Sequence, residues 1–277
     1  MNANDEERAG QARTGAMRTV RRRFAAALIA AGVSAVSGTA TAGDFYLRGG
    51  IGLDRSAQAT FTDLDCSSTS PAALYGCGRG GDGAPYRSRG GFGTTPALEA
   101  GLGYIAGPAA RLEVLVEYRP HLAFEGRANY LEPDRLQAVT ADLSSASAML
   151  AAFVDLPGLG LPGLGPFDPF VGAGAGVVRT RIGETRMTFP RTTTIVPGAH
   201  RTGFAWMLTA GVATALSERT TLEFAWRYTD LDAVHTGRGE GRVVWRDGSR
   251  EPLVLDLAAT RARLRSHGFR LSLRYAF

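Results

Sequence analysis

The chain contains no lysine; all 31 of its basic residues are arginine. It has two cysteines and four histidines. Past the first 42 residues no apolar run approaches the about 20 residues that a membrane-crossing helix needs, and stretches such as Ala146 to Val154 are far shorter. Each scarcity excludes something. Without lysine there is no P-loop, and the glycines at 172, 174 and 176 open no helix, so they cradle no nucleotide phosphate. The arginines are scattered, without a basic block or interleaved aromatics, which argues against a nucleic-acid partner. Two cysteines without a second pair or a histidine cluster do not make a zinc site. No nucleophile motif surrounds any serine, and no catalytic, metal or cofactor set is predicted.

What the chain does have is alternation. In Gly268 to Phe277, Phe269, Leu271, Leu273, Tyr275 and Phe277 share one parity, while Arg270, Ser272 and Arg274 share the other. A period of two with one apolar and one polar face is a strand. The opposite end carries Arg18, Arg21, Arg22 and Arg23, an apolar run from Phe24 to Val36, and Ala40-Thr41-Ala42 before Gly43. Basic, apolar and A-x-A regions in that order predict a secretory signal peptide over 17–42, cleaved between Ala42 and Gly43, with 1–16 a mis-assigned extension before Met17. An uncleaved amphipathic helix is the alternative. Removing residues 1–42 takes away six arginines and three acids, so the net charge falls from +5 to +2. Cys66 and Cys77 then lie in a secreted, glycine-rich segment, where a local disulfide is expected rather than two free thiols.

A secreted chain that enters a membrane without helices must do so as a closed sheet, because an open edge would leave backbone groups unpaired in lipid. Eight strands are predicted: 45–53, 95–106, 110–120, 142–156, 168–182, 201–216, 220–231 and 261–277. The Ala-rich stretch 148–154 has helical propensity but sits between strands, where a helix would break the sheet. Residues 54–94, 121–140, 183–200 and 232–260 read as long irregular outer loops, although 243–245 and 253–257 suggest a hairpin. The connections at 107–109, 157–167 and 217–219 are turns, the second longer than the others. Long and short connections alternate as in outer-membrane barrels. Phe45, Tyr104, Tyr275 and Phe277 fall at one set of strand ends, and Tyr118 and Tyr228 near the other, as aromatic girdles do. The fold class is therefore an all-β, eight-stranded, antiparallel up-and-down transmembrane barrel located in the outer membrane.

The polar parity carries Arg48, Glu99, Glu113, Glu117, Arg119, Glu223, Arg227, Arg270 and Arg274. An eight-stranded barrel is just wide enough for side chains to fill, and unpaired charges there are costly. These residues are expected to form an Arg–Glu plug; a water-filled channel lined by the same groups is the alternative. Arg179, Arg181, Arg263 and Arg265, at outer strand ends, are expected either to meet lipopolysaccharide phosphates or simply to be solvated. Ser266 and His267 lie on one strand near the outer rim. Without a triad signature they are read as non-catalytic.

Four segments taken together resemble one family: A-M-L-A-A-F-V-D-L at 148–156, D-P-F-V-G-A-G-A-G-V at 168–177, the stretch 208–231, and the terminal L-S-L-R-Y-A-F. They are similar to the OmpA-like, opacity-protein and surface-antigen group of outer-membrane barrels, with Phe170 where that group usually has tyrosine. The resemblance implies eight strands, variable surface loops and a role in adhesion, host contact or envelope integrity, with no enzymatic activity. It also implies, as partners, membrane lipid and lipopolysaccharide, a host or surface ligand, and the barrel-assembly machinery. The assembly signal would be the terminal alternation Phe269, Leu271, Leu273, Tyr275 and Phe277.

Overall fold

The structure, a computed structural model, describes residues 45–132, 135 and 137–277. The expected leader and its Ala42–Gly43 cleavage site lie outside the described residues. The described chain is antiparallel β-sheet apart from loops and one short 3-10 turn, Leu156–Leu159. Fourteen strands follow in order: β1 (Phe45–Ser56), β2 (Ala59–Asp63), β3 (Ser88–Gly91), β4 (Thr94–Ile105), β5 (Ala110–Ala128), β6 (Ala138–Asp155), β7 (Asp168–Ile182), β8 (Thr185–Thr188), β9 (Thr192–Val196), β10 (Ala199–Ala215), β11 (Thr220–His235), β12 (Gly239–Trp245), β13 (Leu253–Leu257) and β14 (Thr260–Ala276).

Eight of them close into a ring. In chain order β1, β4, β5, β6, β7, β10, β11 and β14 each pair with the next, and β14 returns to β1. Closure runs over eleven paired positions, from Tyr46 opposite Ala276 to Ser56 opposite Ser266, and the Phe277 N–H donates to the Phe45 carbonyl at 3.2 Å. The Ala-rich segment is β6, an extended ring strand, because neighbours on both sides satisfy its backbone groups.

The two faces of the ring exchange character along the strands. On β14 the exposed positions run Tyr275, Leu273, Leu271, Phe269 and then His267, Arg265, Arg263, Arg261; the buried ones include Ser272 and Arg270 and then Leu264 and Ala262. On β7 the exposed run is Val171, Ala173, Ala175, Val177 and then Arg179, Arg181, while Val178 and Ile182 turn inward beyond the glycines. Strands β5 and β11 achieve the exchange with bulges, where the register shifts between Arg119 and Leu122 and between Asp230 and Ala233. One extra residue reverses parity, so Leu122 and Phe124 face inward although Val116 and Tyr118 face outward. Below the exchange the sheet is apolar outside and carries its charges inside; above it the charges lie outside and the apolar residues inside.

The four long connections are therefore only partly irregular, contrary to the sequence expectation: 64–87 holds turns and isolated bridges, but strand runs into or through each connection. Strand β5 continues to Ala128 and β11 to His235, and six further strands occupy these stretches. The suggested hairpin forms as β12 and β13, but β12 then pairs with β9 rather than extending the ring. Strand β8 joins β6 to β9, and β2 and β3 bridge β14 to β5. Together they make a cap over Phe61, Phe92, Leu122, Phe124, Leu143, Met187, Leu231 and Leu264, which form one continuous buried cluster with the ring's Leu115, Met149 and Phe153. Burying a phenylalanine side chain contributes about 1.5–3 kcal/mol, so three buried phenylalanines give this region reason to fold rather than remain loop.

Candidate functional site

One half of the ring interior is filled by two linked ionic layers. In the first, Arg48 reaches Glu99 at 3.0 Å, Glu223 at 3.5 Å and Glu113 at 3.6 Å. Arg111 forks onto Asp155 with two 2.8 Å bonds and reaches Glu223 at 3.0 Å, while Arg274 lies 3.7 Å from Glu223. The Tyr46 hydroxyl donates to Glu113 at 3.0 Å. Arg111 also lies over the rings of Phe153 and Phe170, at 5.0 and 5.3 Å, an arrangement in which the ring quadrupole attracts the cation. In the second layer Arg270 forks onto Asp54 at 2.7 and 2.9 Å, and Arg119 donates to Asp54 at 2.7 Å and to Glu117 at 3.1 Å. Arg227 bonds Glu117 and, at 2.6 Å, Glu99, and Glu99 thereby joins the two layers.

All nine predicted interior residues are thus brought together, and three more belong with them: Asp54, Arg111 and Asp155. Arg111 and Asp155 lie on the inward parity near the ends of strands 110–120 and 142–156, and Asp54 one step beyond 45–53, so carrying the alternation to the strand ends and one position further would have included them. The set is six guanidinium groups against six carboxylates, electrically balanced. Most are essentially inaccessible: Glu117, Arg119, Glu223 and Arg227 have 0% exposure. Guanidinium suits this task because its planar fork matches a carboxylate with two parallel bonds.

The other half of the interior is apolar and depends on glycine. Facing Phe153, Met149 and Met207, β7 presents Gly172, Gly176 and Gly174. A Cβ at Gly172 would lie 2.6 Å from the Phe153 ring, and one at Gly176 would lie 2.1 Å from the Ala148 carbonyl. The glycine run thus makes room for large side chains from neighbouring strands.

Above the ring, the segment between β2 and β3 is tied down twice. Cys66 and Cys77 are joined by a disulfide with Cα atoms 4.8 Å apart. The Asp63 carboxylate accepts the backbone N–H groups of Leu74, Tyr75 and Gly76 at 2.8–3.2 Å. Tyr75 donates to Ser88 Oγ at 2.7 Å and Tyr130 to the Leu74 carbonyl at 2.6 Å; burial pushes both phenols well above their usual range. The stacked Tyr75–Tyr130 pair and the Tyr86 and Phe189 rings around it close the cap. Sequence reasoning missed this cluster because its aromatics lie in stretches without long alternation.

On the exposed face, a basic collar sits directly above the apolar band. Arg179, Arg181, Arg263, Arg265 and His267 are all exposed, and Arg55 pairs opposite His267. Arg263 and Arg265 converge on the Asp230 carboxylate at 2.8 and 3.2 Å, beside the Trp206–Tyr228 aromatic pair. Phe45 and Tyr104 touch at the far edge of the band, 5.3 Å between centroids, near Tyr275 and Phe277. Phe269, Leu271, Leu273, Tyr275 and Phe277 are all exposed on this band. Ser266 is buried and His267 exposed, on opposite faces of β14, so they do not share a site.

The family model described as outer membrane protein beta-barrel domain matches residues 24–277. No curated protein sequence matches the chain. Among solved structures, the outer membrane protease OmpT from Escherichia coli aligns with TM-score 0.51 at 7% identity, over 88% of this chain and all of that one. Neisserial surface protein A aligns at 0.39 and 15%, over 87% and 100%; OprG from Pseudomonas aeruginosa aligns at 0.43 and 14%, over 85% and 96%. At these identities the likeness concerns the fold alone.

Proposed function

This chain belongs to the outer-membrane β-barrel family and is an outer-membrane protein, and from that premise we propose that its ring spans the membrane as an eight-stranded barrel with a closed lumen. Its work is then done by the outer cap, as surface interaction or envelope support rather than as conduction. The observation carrying this reading is the balanced set of six arginines and six carboxylates across the interior, ten of the twelve buried. Moving an ion past it would require breaking several buried pairs, each about 3–5 kcal/mol when one partner is lost. Purified protein in planar bilayers is the test. No steady conductance above background is the expected result; steady, large openings would refute the closed lumen in favour of the narrow channel.

The basic collar supports lipopolysaccharide as a lipid partner, since arginine forks bind phosphate bidentately just where headgroups begin. The alternation of Phe269, Leu271, Leu273, Tyr275 and Phe277 supports recognition by the barrel-assembly machinery, and replacing these residues by serine should lower the heat-modifiable fraction in isolated outer membranes. A lipid-modifying enzyme is disfavoured because Ser266 and His267 face opposite ways. Mass analysis of lipid A after expression, with His267→Ala alongside, tests that reading.

A further inference from the structure

The connection between β6 and β7 differs from the other two at the rim opposite the cap. Gly107-Pro108-Ala109 and Ser217-Glu218-Arg219 are tight turns, the second of them charged; residues 156–167, L-P-G-L-G-L-P-G-L-G-P-F, hold no charged or hydrogen-bonding side chain. Four large apolar side chains stand exposed on this loop: Leu159 at 61%, Leu161 at 51%, Leu164 at 63% and Phe167 at 44%. Single exposed leucines are ordinary, but four large apolar groups on one short uncharged loop mark a surface that something covers. We propose that the loop is a membrane foot, which lies in the phospholipid leaflet beside the rim. This rests on reading the ring as a membrane-spanning barrel and adds a second lipid contact to it. Continuity with the lipid-facing band selects lipid as the occupant. Phe167 and Pro169 fall on the parity of Val171, which is exposed on that band and pairs with Val154 of β6. The backbone is also suited to an apolar medium, where an unpaired donor is expensive. Pro157, Pro162 and Pro166 have no N–H. The N–H groups of Gly160, Leu161, Leu164 and Phe167 donate within the loop, to the Pro157, Leu156, Phe167 and Leu164 carbonyls at 2.8–3.4 Å. A protein-docking patch is ordinarily rimmed by polar groups, and the loop's own side chains supply none. Asp155, at its start, turns onto Arg111 at 2.8 Å. The loop is moreover held against the rim: a Cβ at Gly158 would lie 2.1 Å from the Pro108 carbonyl of the neighbouring turn.

The test uses the full chain reconstituted in phosphatidylcholine vesicles, with one environment-sensitive fluorophore on Leu161→Cys, Leu271→Cys or Ser217→Cys. Cys66 and Cys77 are joined and do not take the label. Leu271 is exposed on the apolar band of β14 and reports the barrel wall; Ser217 is exposed on the charged turn of the same rim as the loop. Lipids brominated along the acyl chain quench a label they touch, and aqueous iodide quenches one that water reaches. The Leu161 label should lie about 5–10 Å into the headgroup–acyl boundary and be roughly tenfold less open to iodide than the Ser217 label. Adding Leu159→Ser/Leu164→Ser should return the Leu161 label to water, while the Leu271 label stays in lipid. Heat-modifiable migration confirms that each variant is folded. A Leu161 label as open to iodide as the Ser217 label would overturn the proposal and leave the leucines to a soluble partner. A Leu161 label that stays in lipid after the serine replacements would also overturn it, because the dye and not the loop would then be seeking lipid. If Leu161 fails while Leu271 is quenched by bromolipid, the foot is wrong and the barrel stands; if Leu271 is not quenched, the spanning reading itself falls.

Discussion

Replacing Glu117 by glutamine tests whether the lumen is dry. Glu117 is wholly buried and receives Arg119 at 3.1 Å, Arg270 at 3.4 Å and Arg227 more closely still. At about 3.3 Å and an effective dielectric of about 20, one such attraction is worth about 5 kcal/mol before desolvation is subtracted. Removing one partner of a buried pair costs about 3–5 kcal/mol, because the remaining charges stay buried without compensation. Glu117→Gln leaves the layers with one excess positive charge and Arg227→Met with one excess negative charge; together they are balanced. Each single variant should therefore lose about 3–5 kcal/mol, and the double variant clearly less than the sum, with a coupling of about 0.5–3 kcal/mol. Urea unfolding in phospholipid vesicles, followed by tryptophan emission, reads this directly, since Trp206 and Trp226 lie on the outward girdle face of the ring. For a slope of about 2 kcal/mol/M, each single midpoint should fall by roughly 2 M. If both singles lose less than about 1 kcal/mol and add without coupling, water is solvating these charges and the closed-lumen reasoning is wrong.

Three further outcomes are expected. Gly103→Val should cost about 1–3 kcal/mol by overpacking, since a Cβ there would lie 2.0 Å from the Tyr46 ring, which its bond to Glu113 holds in place; the same urea titration measures it. Cys66→Ser/Cys77→Ser should increase proteolysis and amide exchange within 64–84, while the ring's unfolding midpoint stays unchanged, because the bridge closes only a short loop of the cap. Acid should loosen the outer ends of β11 and β14: His235 is held below its usual pKa, chiefly by burial and then by the Arg201 and Arg261 charges. The unfolded chain then binds the proton more readily, so stability from this group falls as pH drops through the ordinary histidine range. Amide exchange near 235 and 261 at pH 5 against pH 7.5 checks this, and His235→Gln should remove the difference.

The ring was legible because lipid imposes a local rule. A strand with hydrocarbon on one side and a narrow interior on the other must alternate, so residues such as Phe269, Leu271 and Leu273 declare their face without reference to any partner. The polar parity likewise identified nine of the twelve interior charges. Who pairs with whom was not legible: Arg227 meets Glu99 across 128 positions of sequence, and only the stagger of the closed ring brings them level. The cap was hidden for a different reason. Beyond the lipid edge the apolar residues must turn inward, and the bulges after Arg119 and Asp230 carry out that reversal on two strands, breaking the alternation where the strands continue. Leu122 and Phe124 therefore read as loop although they carry the apolar core on into the cap. Local hydropathy, set by the solvent on each side, was determined by the sequence alone; ion partners and the parity reversals were decided by tertiary structure, because each depends on which distant strand lies alongside.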